Sequence, residues 1–514
     1  MAKAKVKAPA KSKQHAKQKD GEESYVAKHP SGVGHWWILI LVALAQFMVV
    51  LDVSIVNVAL PSIQKAFHMT PTNLQWIVTA YTLTFGGFLL LGGRAADLYG
   101  RRKVFLAGVT VFTIASLGCG LAQSGNMIIW FRAIQGLAGA FMSPAALSIV
   151  LVTYREGHER NAALAVWGAV ASGGAAFGVL LGGILTQYAD WRWNFFVNVP
   201  VGILVVLASL RILDRHESEA EHNDLDLPGA ILATSGLVAL VYGLVKAPGY
   251  GWTDAHTIGF LSLAAILLIG FVINEARAKN PLMPLHLFKI RNLVGADSMM
   301  LFMTAGMFSV FFFTTLYLQE VLGYTPIHTG MSFLVVPIVV GIVATNVPRI
   351  IKKVGYKPIL VVAPLFVSAG LFYLSKIPVN GTFWGNVAPG LILLGIGMGA
   401  TFVSVTIAAT SGVRGDESGV ASGLLNTSQQ VGGAIGLAVL TGIAASATTE
   451  YIKNLNLLSR PTREQVAAAT VHGFQKGYLI AATFGIIASI IATLVIKQRK
   501  GDKTELSPAD MAGV

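Results

Sequence analysis

The chain has 514 residues, of which 54% are hydrophobic and only 12% charged. That is too apolar for a soluble protein and too long for a single membrane anchor, so the expectation is an all-α polytopic membrane protein. The net charge of +13 does not argue for nucleic acid, because 29 of the 38 Lys and Arg residues fall on one side of the predicted helices and eight on the other.

The first 28 residues hold eight lysines and no apolar run, which predicts a disordered basic arm over residues 1–35 beside anionic headgroups and excludes a signal peptide. Fourteen hydrophobic stretches follow, centred near residues 48, 84, 113, 139, 177, 204, 236, 265, 305, 337, 366, 397, 432 and 487. A count of twelve would drop the pair near 236 and 265. Each of these carries about twenty apolar residues with no ionisable group in its middle, so fourteen is retained. The bias of Lys and Arg places both termini in the cytoplasm. The lone Cys119 excludes an intramolecular disulfide, and no P-loop, HExxH or GxSxG is present, so an ATP-driven pump is unsupported.

The first stretch, Trp37 to Leu60, spans roughly 36 Å at a rise of ~1.5 Å per residue and carries Asp52 about two-thirds of the way along. An ionised carboxylate there costs at least ~2.5–3.5 kcal/mol unless it faces water, a partner or a proton. It is either a functional group or a pin for helix packing. Of the acidic residues, only Asp52 and Asp297 fall inside predicted helices, with Glu320 at an outer helix end. Asp297 sits roughly 8 Å from the cytoplasmic edge and is the weaker candidate.

The connection after the second stretch reads Gly93-Arg-Ala-Ala-Asp97-Leu-Tyr-Gly100-Arg101-Arg102-Lys103. Its glycines allow a tight turn, Asp97 can pair across a helix end, and Arg101 and Arg102 can close against the other half of the molecule. A weaker echo after the tenth stretch, Arg349 to Lys357, aligns Gly355 with Gly100 and puts Lys352 where the first copy has Asp97. In the fourth stretch Arg132 is the only basic residue within a helix, at a depth compatible with that of Asp52. Arg132, Gln135, Gly136, Gly139 and Ser143 share one helical face, which predicts an inward polar stripe. Gly174, Gly178 and Gly182 recur every four residues in the fifth stretch, followed by Gly183, and Gly419, Gly423, Gly432 and Gly436 give the thirteenth a similar small-residue face.

These echoes predict two six-helix halves, residues 36–215 and 291–500, joined through a two-helix insertion at 216–290, with a cytoplasmic tail at 501–514. Asn57, Gln75, Trp76, Tyr81, Gln135, Asn426 and Gln430 are polar or amphipathic residues that either line a cavity between the halves or serve helix packing. The Met and Phe cluster from Met299 to Phe313 reads as a lipid-facing surface in preference to an apolar pocket.

The Gly93–Lys103 connection resembles the GxLaDrxGRRK signature of the major facilitator superfamily, and the resemblance extends over residues 36 to 500. Leu51-Asp52-Val-Ser-Ile-Val-Asn57-Val-Ala-Leu-Pro61 is similar to the first-helix motif of its fourteen-helix drug:proton antiporter branch, the EmrB/QacA type. Trp191-Arg-Trp193-Asn-Phe-Phe-Val-Asn198-Val-Pro200 is similar to that branch's fifth-to-sixth connection. The resemblance implies a 6+2+6 major facilitator fold. It makes Asp52 a protonation or coupling carboxylate, Arg132 part of the proton relay and Gly93, Asp97, Gly100, Arg101 and Arg102 a conformational latch. The branch's fifth-helix motif reads GPxxGG, whereas this chain has Gly178-Val179-Leu-Leu-Gly182-Gly183, so the proline kink is absent while the glycine face persists.

The implied activity is export of amphipathic organic compounds in exchange for protons, by a monomer in a bacterial inner membrane, with no cofactor beyond the proton gradient. Its partners are the substrate, protons and membrane lipids, without nucleic acid. Uptake by proton symport, a lipid or metabolite cargo, and a non-transporting sensor or scaffold are the alternatives.

Overall fold

A computed structural model describes residues 34–154, 158–213, 225–414, 417–455 and 461–498. The predicted arm and tail lie outside these residues, except for positions 34 and 35. Among the described residues there are fourteen helices long and apolar enough to cross a membrane and no strand. They are α1 (His35–Phe67), α2 (Pro71–Tyr99), α3 (Arg101–Gly120), α4 (Gly125–Thr153), α5 (Ala162–Tyr188), α6 (Trp193–Ile212) and α7 (Leu227–Ala247). The remainder are α8 (Ala255–Arg277), α9 (Arg291–Val321), α10 (Pro326–Val354), α11 (Tyr356–Leu374), α12 (Phe383–Thr410), α13 (Ser418–Asn454) and α14 (Arg463–Leu494). Each helix satisfies its own backbone groups, as hydrocarbon demands.

The helix starts follow from short polar side chains. Thr70, Ser124, Thr325 and Thr382 each accept a bond from a backbone N–H in the first turn that follows, and Thr462 forms a full capping box with Gln465. Two connections are made by one residue each. Gly100 (φ 93°) turns α2 into α3 and Gly355 (φ 83°) turns α10 into α11, a backbone region that disfavours any side chain. The sequence echo between the two loops is therefore an echo of backbone geometry. Both turns lie at the end of the bundle that carries Arg101, Arg102, Lys352 and Lys353, called here the basic face.

Small residues set the helix spacing. A Cβ on Gly136 would strike Tyr81 and Thr84 of α2, and one on Gly432 would lie 2.7 Å from Leu301 Cα of α9. The α7–α8 pair packs on the rest through α7, where Val241 and Val245 join Leu83 of α2 and Ala434 and Ala438 of α13. Most of α8 remains exposed to the surroundings.

Opposite the basic face the first and last groups of six helices touch directly. Gln319 of α9 donates to the Val58 carbonyl of α1 at 2.9 Å, and the Ile327 N–H at the start of α10 donates to Gln187 of α5 at 3.2 Å. Toward the basic face α5 and α10 do not continue this contact, since Gly173 and Gly341 both border open space, while α2 and α13 still meet there at Leu90 and Gly423. Irregularities escape the periodicity of the sequence: breaks in α2 at Gln75, in α6 at Val197 and in α10 at Leu334, and single π turns at Tyr317–Val321 and Phe383–Val387.

Candidate functional site: a caged carboxylate in the first six helices

Asp52 and Arg132 form an ion pair in which both side chains are withdrawn from solvent, at 0% and 1% exposure. Arg132 Nη1 donates to Asp52 Oδ2. The other carboxylate oxygen accepts two amide donors, Gln135 Nε2 at 2.7 Å and Asn198 Nδ2 at 3.0 Å. Arg132 is itself held by the Ile77 carbonyl (3.0 Å) and Gln135 Oε1 (2.8 Å), and its guanidinium lies 4.3 Å from the centre of the Tyr81 ring. Asn198 continues to Ser116 Oγ at 3.1 Å, and Ser116 donates to the Phe195 carbonyl. Five helices, α1, α2, α3, α4 and α6, thus close around one carboxylate. Every group aimed at it is a donor, so the cage is built for the ionised form.

The local sequence explains the arrangement. The inward stripe predicted on α4 is present: Gly136 and Gly139 press on Tyr81 and its neighbours, which draws α4 against α2 and brings Arg132 and Gln135 to Asp52. Asn198 and Pro200 follow the break at Val197 within α6, so the Trp191–Pro200 motif delivers the Asn198 amide to the cage. Asn198 and Ser116 were not singled out as site residues. The motif contained Asn198, but nothing in its spacing tells which carboxylate it serves.

The α5 glycines lie against the same helix that carries Asp52. A Cβ on Gly178 would be 2.7 Å from Ser54 Cβ and 3.1 Å from the Leu51 carbonyl, and one on Gly182 would be 2.8 Å from the Ile55 carbonyl. Gly174 packs on Phe47 and Val50 one turn further. Gly183 faces the other way, 2.7 Å from the Pro326 carbonyl of α10 by the same measure, and the Val179 carbonyl meets Gly330. α5 therefore touches α1 with one face and α10 with another.

Other predicted site residues are placed elsewhere. Asp297 lies in α9, 8% exposed, with a carboxyl oxygen that has no hydrogen-bond partner, and it takes no part in the cage. The expectation that Arg101 and Arg102 close against the other half is not met in this state. Arg101 Nε donates to Ser148 of α4 at 2.6 Å, Arg102 Nη2 donates to the Leu210 carbonyl of α6 at 2.9 Å, and Asp97 pairs with Arg101 at 3.9 Å, all within the first six helices. Gly93 sits near Pro144 of α4.

Of the predicted cavity residues, Tyr81 and Gln135 belong to the cage, and Trp76 packs on Tyr242 of α7. Asn57 donates to its own helix at Val53, and Gln75 is fully buried with neither amide atom bonded. Gln430 lies on Gly86 where α13 crosses α2, while Asn426 is exposed between the α2-facing and α9-facing sides of α13. Among the described residues, further carboxylates occur within helices where the sequence counts only Asp52 and Asp297, including Asp97, Glu450 and Glu464 near the ends of α2, α13 and α14. Glu320 falls in the terminal π turn of α9, and Glu275, 3% exposed, lies in the last turn of α8.

Comparison with known proteins agrees with this architecture. The profile of the Major Facilitator Superfamily matches residues 42–437. The chain is similar to the puromycin resistance protein pur8 of Streptomyces alboniger, 37% identical over 93% of this chain and 94% of that one. It is 38% identical to the cephamycin export protein CmcT of Amycolatopsis lactamdurans, over 80% and 85% of the two chains. Among solved structures, the POT family transporter PepTSo shares the fold with a TM-score of 0.65 at 15% identity, covering 90% of this chain and 97% of that one. A bacterial homologue of the lysosomal transporter Spinster gives 0.63, also at 15% identity, over 90% and 96%. The chain belongs to the Major Facilitator Superfamily, in a fourteen-helix form.

Proposed function

We propose that the protein is a proton-coupled exporter of amphipathic organic compounds, seated as a monomer in a bacterial plasma membrane with its basic face and both termini in the cytoplasm. The observation that carries the reading is the Asp52–Arg132 cage, a carboxylate buried in the first six helices beside the helix that reaches the second six. The printed roles of the relatives, resistance to puromycin and export of cephamycin, support efflux of such compounds. The asymmetry of basic residues supports the orientation.

In this mechanism the ionised Asp52 holds Arg132, Gln135 and Asn198 around itself. A proton arriving from outside cancels the ion pair and places an O–H where only donors converge, so the cage loosens. The turn of α1 around Asp52 then shifts against Gly178 and Gly182, and α5 passes the shift to α10 at Gly183 and Gly330. The two six-helix groups separate where they now touch, the substrate leaves outward, and return of the proton to the cytoplasm resets the cage. No cofactor is required, since the proton gradient supplies the free energy.

The test is uptake of puromycin into inverted vesicles carrying an imposed acid-inside gradient. Wild type should concentrate the compound, and Asp52→Asn should lose the dependence on the gradient. Unchanged, still proton-coupled uptake in the variant removes Asp52 from the mechanism. Accumulation only under the opposite gradient makes the protein a symporter.

A further inference from the structure

The basic face holds a second carboxyl pair, on the α7–α8 insertion and apart from the Asp52 cage. Asp226 caps α7: its Oδ1 accepts the Gly229 N–H at 2.9 Å, and both of its oxygens accept from Asn274 Nδ2 at 2.8 Å. Glu275, next to Asn274 at the end of α8, points its Oε2 at the Met283 N–H (2.8 Å). Its Oε1 is buried without a donor, although the residue is only 3% exposed. The position of a Cβ on Gly229 would lie 2.5 Å from Asp226 Oδ2 and 2.7 Å from Glu275 Oε1, so both oxygens border the same small space, with Asp226 a neighbour of Glu275.

Two facing carboxylate oxygens repel unless something positive lies between them. The groups bonded to the pair, the Gly229 N–H, the Asn274 NH2 and the Met283 N–H, are all donors, and among the described residues no third His, Cys, Asp or Glu joins the pair to hold a metal ion. The geometry points to a proton held on Glu275 Oε1 and donated to Asp226, a proton-binding site on the insertion that clasps the start of α7, the end of α8 and the connection to α9. The connection carries the clasp onward, because His286 bonds Glu417 at the start of α13 at 2.7 Å.

The other charged groups around the pair do not replace the proton. Arg277 and Lys279, on α8 and just beyond it, are exposed, as are Arg94 and Asp97 at the basic end of α2, and His286 is engaged with Glu417 of the α13 side. Among the described residues, Asp226 is the one charged side chain that acts on Glu275.

Glu275→Gln replaces that proton with a permanent amide donor, and Glu275→Ala removes the clasp. In purified protein at neutral pH, the thermal midpoint of Glu275→Gln should match wild type and that of Glu275→Ala should fall below both. The infrared difference spectrum of wild type minus Glu275→Gln should show a protonated carboxyl band at neutral pH that disappears on alkaline titration. Asp52 and the other carboxylates are common to both proteins and cancel in the comparison. A Glu275→Ala midpoint equal to that of Glu275→Gln, or a difference spectrum showing only ionised carboxylate at neutral pH, overturns the proposal. Neither measurement depends on transport, so failure here leaves the exporter reading untouched, and failure of efflux leaves this site untouched.

Discussion

At the scale of single residues, the Asp52 cage behaves as one unit. Removing either charge strands the other in a dry interior, which costs about 3–5 kcal/mol, whereas removing both relieves much of that penalty. Asp52→Asn and Arg132→Gln should each lower stability by about that amount, and the double variant by less than the sum, with a coupling of about 1–3 kcal/mol. Denaturant titration of the four proteins in detergent measures this, and additive effects would mean that the pair is not coupled. Asn198 contributes through a bond to a charged acceptor, so Asn198→Leu should cost about 1.5–3 kcal/mol and leave Ser116 with only its own bond to Phe195. If the stability of Asn198→Leu matches wild type, Asn198 is a bystander. Asp52 and Arg132 were legible in the sequence because hydrocarbon penalises any charge at depth. Asn198 and Ser116 were not, since a neutral polar residue in a helix has several inexpensive ways to be satisfied.

The helix α5 is the element through which the cage meets the second six helices, and its glycines divide the work. A side chain at Gly182 meets the Ile55 carbonyl, a backbone atom that cannot swing aside, so Gly182→Val should cost about 1–3 kcal/mol by overpacking α1 against α5. Gly183→Val instead wedges α5 from α10 at the face where the two groups touch. It should favour the opposite opening, read as faster labelling of Asn57→Cys from outside in a Cys119→Ala background. Gly173→Val projects into open space and serves as the silent control. Labelling that rises equally in both valine variants would show that α5–α10 contact does not gate that face. Missing from this helix is the motif proline, with Val179 in its place. The close approach of its carbonyl to Gly330 shows that contact with α10 is made by small residues without the kink.

At the scale of the whole molecule, α5 meets α10 on the face opposite the basic loops and parts from it toward the basic face, where α2 and α13 still meet at Leu90 and Gly423. Asn426 is exposed on α13 in this arrangement. Asn426→Cys, again with Cys119→Ala, should react with a membrane-impermeant thiol reagent in inverted vesicles and only slowly in intact cells. The reverse pattern would overturn the orientation or the direction of opening. In this arrangement Arg101 and Arg102 bond Ser148 and Leu210 of their own group, and any closure against the second six helices belongs to another state.

The sequence by itself determined the number of spans, the sidedness of the basic residues, the paired glycine turns at Gly100 and Gly355, and the two deep charges. Each of these is a local consequence of placing a chain in hydrocarbon, where length, charge and backbone freedom act residue by residue. Only the tertiary structure decided the partners. The bonds that hold Asp52 join residues 80, 83 and 146 positions apart, so no window of sequence contains them. The same holds for the separation of Asp297 from the cage and for the meeting of Asp226 with Glu275, whose carboxyl groups lie at opposite ends of a helical hairpin and come together only because α7 and α8 fold back on each other.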